Sequence, residues 1–172
     1  RQKMKNGRYV ENGNLWWYKN GEPHREDGPA FEHANGSQGW YLNGERHRLD
    51  GPAITWLDEH EQWWVYGKLH RENGPAYEDT NGLKQWFREG KLHRLDGPAI
   101  EQADGSTEWW INGKRHREDG PAIEGHNGKG LFYLNGVKYS KKEFQQWIAK
   151  NELNKKLQTT LEPSPLINRG KI

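Results

Sequence analysis

His24-Arg25, His47-Arg48, His70-Arg71, His93-Arg94 and His116-Arg117 recur at a constant spacing of 23 residues. An imidazole can move a proton near neutral pH or ligate a metal, and a guanidinium can grip a carboxylate or phosphate. Each pair is followed one residue later by Asp or Asn and then Gly-Pro-Ala, ending at Ala30, Ala53, Ala76, Ala99 and Ala122. Seven residues before each His stands Trp17, Trp40, Trp63, Trp86 or Trp109, and a second aromatic follows directly: Tyr18, Tyr41, Trp64, Phe87, Trp110. These types in this order could serve a metal, an acid–base reaction, a stacked base, or the packing of the repeat itself.

Spacing decides among them. If each unit contributes two strands to a sheet, equivalent imidazoles lie roughly 9.6 Å apart at ~4.8 Å per strand. Ligands of one zinc need each nitrogen about 2.0–2.1 Å from the ion, so neighbouring histidines cannot share a metal. A catalytic constellation is usually unique, and this one occurs five times. The expected role of His24, Arg25, His47, Arg48, His70, Arg71, His93, Arg94, His116 and Arg117 is therefore a structural ladder. In it they pack against Trp17, Trp40, Trp63, Trp86 and Trp109 and bond turn carbonyls or the motif Asp. No catalytic residue, metal site or cofactor is expected. The chain has no Cys, which removes disulfides, thiol catalysis and Cys-ligated zinc.

The elements that position these residues read as short strands between tight turns. Gln62-Trp63-Trp64-Val65 is an aromatic, β-branched run suited to a pleated surface. Asn-Gly follows this run in four of six copies, and Gly alone is kept as Gly67 and Gly90, which marks a hairpin turn needing positive φ. Gly-Pro closes a second turn, since Pro cannot join a central ladder. Ala53 to Leu57 is another strand candidate, and a third turn follows at Asn35-Gly36 and its equivalents. Alternation puts Trp63 and Trp64 on opposite faces, one row toward a thin core and the other against the next segment. The expected fold is mostly β: an elongated antiparallel β-hairpin repeat array, two strands per unit, with a C-terminal α-helical cap.

A 23-residue unit with Trp, then Asn-Gly-Lys-x-His, a turn and a later Asn-Gly or Asp-Gly resembles the MORN repeat, over residues 15–137. The resemblance implies a β-hairpin scaffold that binds other molecules. The His-Arg-x-Asp-Gly-Pro-Ala stretch departs from the usual Gly-x-Gly and is similar to a divergent form in hypothetical proteins of large phages and giant viruses.

Composition fits an array better than a globule. Leu, Ile, Val and Phe make only 28 of 172 residues, against 10 Trp, 7 Tyr and 21 Gly. The net charge of +2 averages two unlike parts: residues 138–172 carry +5 and residues 1–137 carry −3. The expected organisation is a half-repeat cap at 1–16, five repeats at 17–131, a degenerate repeat at 132–139, a helical cap at 140–161 and a flexible tail at 162–172. Ser140 and Glu143 form a capping box, with Tyr139 stapled to Phe144. Phe144, Trp147 and Ile148 share one helical face and Leu153, Leu157 and Leu161 another, with a break expected near 150–152.

Departures from the repeat mark candidate binding residues. Arg46 and Arg115 stand where other units have Leu69 and Leu92, and Trp56 has no aromatic counterpart. The position after His-Arg alternates Glu26, Leu49, Glu72, Leu95, Glu118. With the Leu153/Leu157/Leu161 stripe, these point to a non-enzymatic protein-binding surface, on the viral resemblance an accessory factor engaging a host or virion protein. Open sheet edges and the Leu stripe suggest self-association. An Arg/Trp stripe or the basic helix could instead hold nucleic acid or a nucleotide, but the array's negative charge opposes phosphate binding. No apolar run is long enough for a membrane span, and nothing near Arg1 resembles a secretory leader, so a cytoplasmic location is expected, in the host if the protein is viral.

Overall fold

The Asn-Gly turns set the geometry of everything between them. The structure, a computed structural model, describes residues 3–58 and 60–161. Among the described residues seven hairpin turns, six at the repeat interval and one at Asn12-Gly13, each hold two consecutive left-handed residues, as at Asn43 (φ 49°) and Gly44 (φ 81°). This is the mirror-image turn whose twist matches paired strands. Tyr66 (φ 46°) and Glu89 (φ 51°) take the same backbone without an Asn, at a cost of roughly 1–2 kcal/mol each. The turn geometry is kept even where the favoured residue is lost.

Between turns the strands are only two residues long. One repeat contains Ile54–Thr55, Glu61–Gln62, Trp64–Val65 and Lys68–Leu69. The first two belong to one antiparallel sheet of 14 strands that runs in chain order from Gly7–Glu11 to Val137–Tyr139. The last two form a separate hairpin. Neighbouring hairpins are stitched by backbone bonds: the Arg48 N–H donates to Trp64 O (3.0 Å) and the Gly67 N–H to Arg46 O (2.9 Å). Each unit thus carries four short strands in two ladders rather than the two expected. The reason lies at the tryptophan. Trp63 donates its N–H to Ala76 O (2.7 Å), but its carbonyl accepts the His70 N–H (3.0 Å) and the Ala76 N–H goes to Gln85 O (2.9 Å), so the ladder ends at this pair. The chain turns there into the hairpin row. At the two ends, Asn14–Lys19 and Gly130–Leu134 pass through unbroken.

The core is a column of alanines. Ala30, Ala53, Ala76, Ala99 and Ala122 are all 0 % exposed. Both aromatic rows are half-buried, so neither one alone is the core expected from alternation. The alanines lie where the strand bearing the tryptophan meets the strand after the Gly-Pro turn, as Trp40 donates its N–H to Ala53 O (2.7 Å).

Each end of the array is closed differently. At the start, Asn6 Oδ1 accepts the Asn20 N–H (2.8 Å), Lys5 O accepts the Gly21 N–H (2.8 Å), and the Lys5 ammonium lies over Tyr9 and Tyr18. At the other end stands a helix, Lys141–Leu161. Glu143 donates its N–H to Ser140 Oγ (3.2 Å) and its carboxylate accepts the Ser140 N–H (2.8 Å), a reciprocal cap. Phe144 is 2 % exposed, with its ring 4.7 Å from Phe132 and Trp147 stacked beyond it. Phe132 holds the next ladder place after Trp109, and Phe144 covers it as an arginine covers each tryptophan.

The break expected near 150–152 does not occur: the helix is continuous from Lys141 to Leu161. Once its first turns are docked, each further residue adds a backbone hydrogen bond without a new nucleation cost. Asn151 is only mildly unfavourable inside a helix. The helix stop at Glu162-Pro163 and the tail at 162–172 lie outside the described residues. Among the described residues no helix is long and apolar enough to cross a membrane.

Candidate functional site

Each ladder arginine reaches back over its own tryptophan. The guanidinium carbon lies 4.6 Å from the ring centroid for Arg25 on Trp17, 4.1 Å for Arg48 on Trp40, 3.9 Å for Arg71 on Trp63, 4.0 Å for Arg94 on Trp86 and 4.1 Å for Arg117 on Trp109. Nε donates to the motif aspartate in four units: Asp27 (2.9 Å), Asp50 (2.9 Å), Asp96 (3.0 Å) and Asp119 (2.7 Å). Nη1 donates to the carbonyl of the following proline in all five, as Arg48 does to Pro52 O (3.3 Å). These bonds from Arg25 and Arg48 hold the Asp27 and Asp50 carboxyls below the ordinary carboxylate range. The guanidinium also explains the glycine before the proline. A Cβ on Gly51 would sit 2.7 Å from Arg48 Cζ, so space rather than φ excludes any other residue there.

The histidines join one unit to the next. His24 Nδ1 accepts the Asn43 N–H (3.0 Å), His47 that of Tyr66 (3.1 Å), His70 that of Glu89 (3.0 Å), His93 that of Asn112 (3.1 Å) and His116 that of Asn135 (3.0 Å). Each bond satisfies the first N–H of the next hairpin turn and places the imidazole proton on Nε2. Asn6 Oδ1 does the same for the first turn, where no histidine precedes it. On the other side of the ring, Nε2 meets Glu26 (3.4 Å), Glu72 (3.1 Å) or Glu118 (3.5 Å). In the units with Leu49 and Leu95 no such carboxylate is present.

With the repeated side chains turned inward, the changing positions remain at the surface. Four open clefts lie in a row, one between each pair of consecutive units, with volumes of about 430, 370, 400 and 300 Å³ along the chain. Each is walled by a stacked Arg and Trp and floored by Leu42, Val65, Arg88 or Ile111. Along the rims Glu26, Leu49, Glu72, Leu95 and Glu118 alternate, and Leu49 and Leu95 are 73 % and 70 % exposed.

Other candidates fall elsewhere. Trp56 is 44 % exposed on the loop at the outer edge of the long sheet, beside exposed Leu57, and lines none of the four clefts. Arg46 lies over Trp64 (4.9 Å) and Arg115 over Trp110 (4.8 Å), where Arg115 Nε also donates to Glu108 (3.2 Å). Both are engaged inside the array. Leu153, Leu157 and Leu161 are exposed on a half-helix that is exposed on every side from Glu152 onward. No protein-family model matches the chain. No curated protein is similar to it either. The geometry therefore has to carry the functional reading alone.

Three features were missed in the sequence. The repeated alanine is visible in the sequence at the end of the Gly-Pro turn and the start of a strand, but nothing there marks it as the core. Asn6 stood in an incomplete copy, so nothing marked it as a stand-in for histidine. Phe144 was assigned to a helix face without its link to the Phe132 ladder place.

Proposed function

We propose that the chain is a non-enzymatic repeat scaffold whose cleft row binds another protein. One observation carries this reading. The side chains common to all units spend their polar groups on contacts inside the array and wall the clefts, whereas those that change from unit to unit form the floors and rims of an open row. A row of half-apolar clefts with aliphatic rims suits an extended protein segment better than a small substrate. The ladder arginines that a phosphate backbone would need are already engaged with Trp, Asp and carbonyl groups, which supports a protein partner over nucleic acid. The resemblance to MORN-type repeats and to viral hypothetical proteins supports a host or virion protein as that partner, met in the cytoplasm. The exposed Leu153, Leu157 and Leu161 support a second contact, between copies of the chain; light scattering that gives the monomer mass at high concentration would overturn that part.

The partner reading is tested with a photo-crosslinking residue at position 49 or 95 in the chain's native cell. One discrete adduct is expected, at both positions, and lost when the other rim leucine is changed to Glu. Absence of an adduct, or adducts indifferent to the Glu change, would overturn it.

A further inference from the structure

The third of the four clefts, between the units of His70 and His93, combines three changes that each remove or unbalance negative charge, one at its border with the second cleft, one on its rim and one on its floor. At the border Asn73, on the second cleft, replaces the motif aspartate, so Arg71, which lines both clefts, has no carboxylate partner; it donates to Pro75 O (3.1 Å) and stacks on Trp63. The backbone registers the same change, since Gly74 takes a φ of 140°. Leu95 replaces the glutamate that faces the imidazole in alternate units, and His93 Nε2 is buried with no hydrogen-bond partner. Such a donor bears its full desolvation penalty. Arg88 stands on the floor where the other clefts carry Leu42, Val65 or Ile111; it contacts Glu72 (2.7 Å) and leaves its remaining N–H groups open to the cleft side.

The charge count follows. This cleft holds Arg71, Arg88 and Arg94 against Glu72 and Asp96, the second holds Arg48 and Arg71 against Glu72 alone, and the first and fourth balance their arginines with acids. The second and third linings thus each carry one net positive charge, and Arg88 with the unpaired His93 Nε2 singles out the third, where Leu95 adds an exposed apolar rim.

We infer that this cleft is a carboxylate site: it receives an acidic side chain of the protein partner, next to an apolar residue of the same segment. The reading rests on the proposed partner-binding role and gives it a register. The incoming carboxylate meets Arg71, which Asn73 leaves without an acid, and stands where Leu95 replaces the glutamate of alternate units. Arg71 and Arg88 supply paired N–H donors, the geometry that guanidinium groups offer to carboxylates. One net positive charge suits a monoanion better than a doubly charged phosphate, which would meet Glu72 and Asp96 as well.

The repeat itself supplies variants that fold. Asn73→Asp restores the acid carried by four sister units, and Arg88→Leu restores the floor of the first cleft. The probes are the blocked dipeptides N-acetyl-Leu-Asp-amide and N-acetyl-Leu-Asn-amide, and inorganic phosphate, titrated into the ¹⁵N-labelled chain. Saturable shifts are expected for Gly74, Leu95 and the Trp86 indole with the Asp dipeptide and not with the Asn dipeptide. Each variant should weaken binding by about tenfold or more. Shifts of equal size at all four clefts, shifts that survive both variants, or no saturable shift would overturn the inference. Phosphate shifting these residues when the Asp dipeptide does not would replace the carboxylate assignment. Failure here with the rim crosslink retained removes only this inference; a positive titration without the crosslink removes only the wider partner reading.

Discussion

The array and the helix that closes it solve the same problem, an unpaired end, with opposite economies. Every array unit is built from the same few contacts: an Arg–Trp stack and a buried alanine within it, and a His latch to its neighbour. The helix is held at one end only. Phe144, Trp147 and Ile148 dock on the last unit, and from Glu152 onward every residue of the helix is exposed. In a stacked array each unit's stability depends on its neighbours, so a defect in the middle costs two interfaces. A defect in the free half of the helix costs none. The difference teaches where repetition is structural and where the sequence is at liberty to vary.

Removing the docking ring should have the largest effect. Phe144→Ala is expected to cost about 3–5 kcal/mol locally, the usual range for a buried phenylalanine, with loss of helical signal and fraying of the last unit in circular dichroism and hydrogen exchange. Retention of the helix at full amplitude would show that the helix stands without the array. Next comes Ala76→Leu, which forces a larger side chain into a 0 % exposed site. It should cost about 1–3 kcal/mol in urea denaturation and broaden the transition as the array divides at its centre. If the transition moves without broadening, the units are not coupled as described.

A latch is worth less. His70→Ala removes the acceptor for the Glu89 N–H, with an expected loss of about 1 kcal/mol. The Glu89 amide should exchange faster while the equivalent amides of Tyr66 and Asn112 keep their rates. Uniform acceleration would mean that the latch does not act locally.

Acid should reveal the arginine partners. Asp27 and Asp50 have lowered folded-state pKa values, caused first by the hydrogen bonds from Arg25 and Arg48. A carboxyl lowered on folding stabilises the fold above its unfolded pKa and loses that contribution as pH falls through the folded value. The urea midpoint should therefore hold steady down to pH about 4 and then decline. Asp50→Asn, which copies the natural Asn73, should flatten part of that decline. The smallest effect belongs to the free half of the helix: Leu153→Ser with Leu157→Ser should leave array stability within about 0.5 kcal/mol. A larger loss would mean that the stripe packs somewhere on the array.

Much of this was legible in the residues. The period of 23, the Asn-Gly turns and the capping box at Ser140 and Glu143 are local signals, and the elements stand where those signals lie. The ladder contacts needed more, because whether Arg71 covers Trp63 depends on the turn between them folding back. The split into two ladders was not legible. It comes from Trp63, whose N–H bonds Ala76 in the long sheet while its carbonyl bonds His70 in the hairpin, a branching visible only once the register is known. The continuous helix was also hidden, since two apolar stripes on one sequence fit one helix or two, and only docking decides. The charge imbalance of the third cleft lay in the sequence at Arg88 and Leu95, but Arg71 and Arg94, which share its lining, stand a full unit apart in the chain.

The central claim is that repeated residues hold the array and changing residues face a partner. Urea denaturation of two double variants tests it most directly. Arg71→Ala with Arg94→Ala should lower stability by several kcal/mol, at about 2 kcal/mol for each lost stack and charged hydrogen bond. Leu49→Glu with Leu95→Glu should leave the midpoint within about 0.5 kcal/mol of the parent. A stable arginine variant beside an unfolded leucine variant would contradict the account.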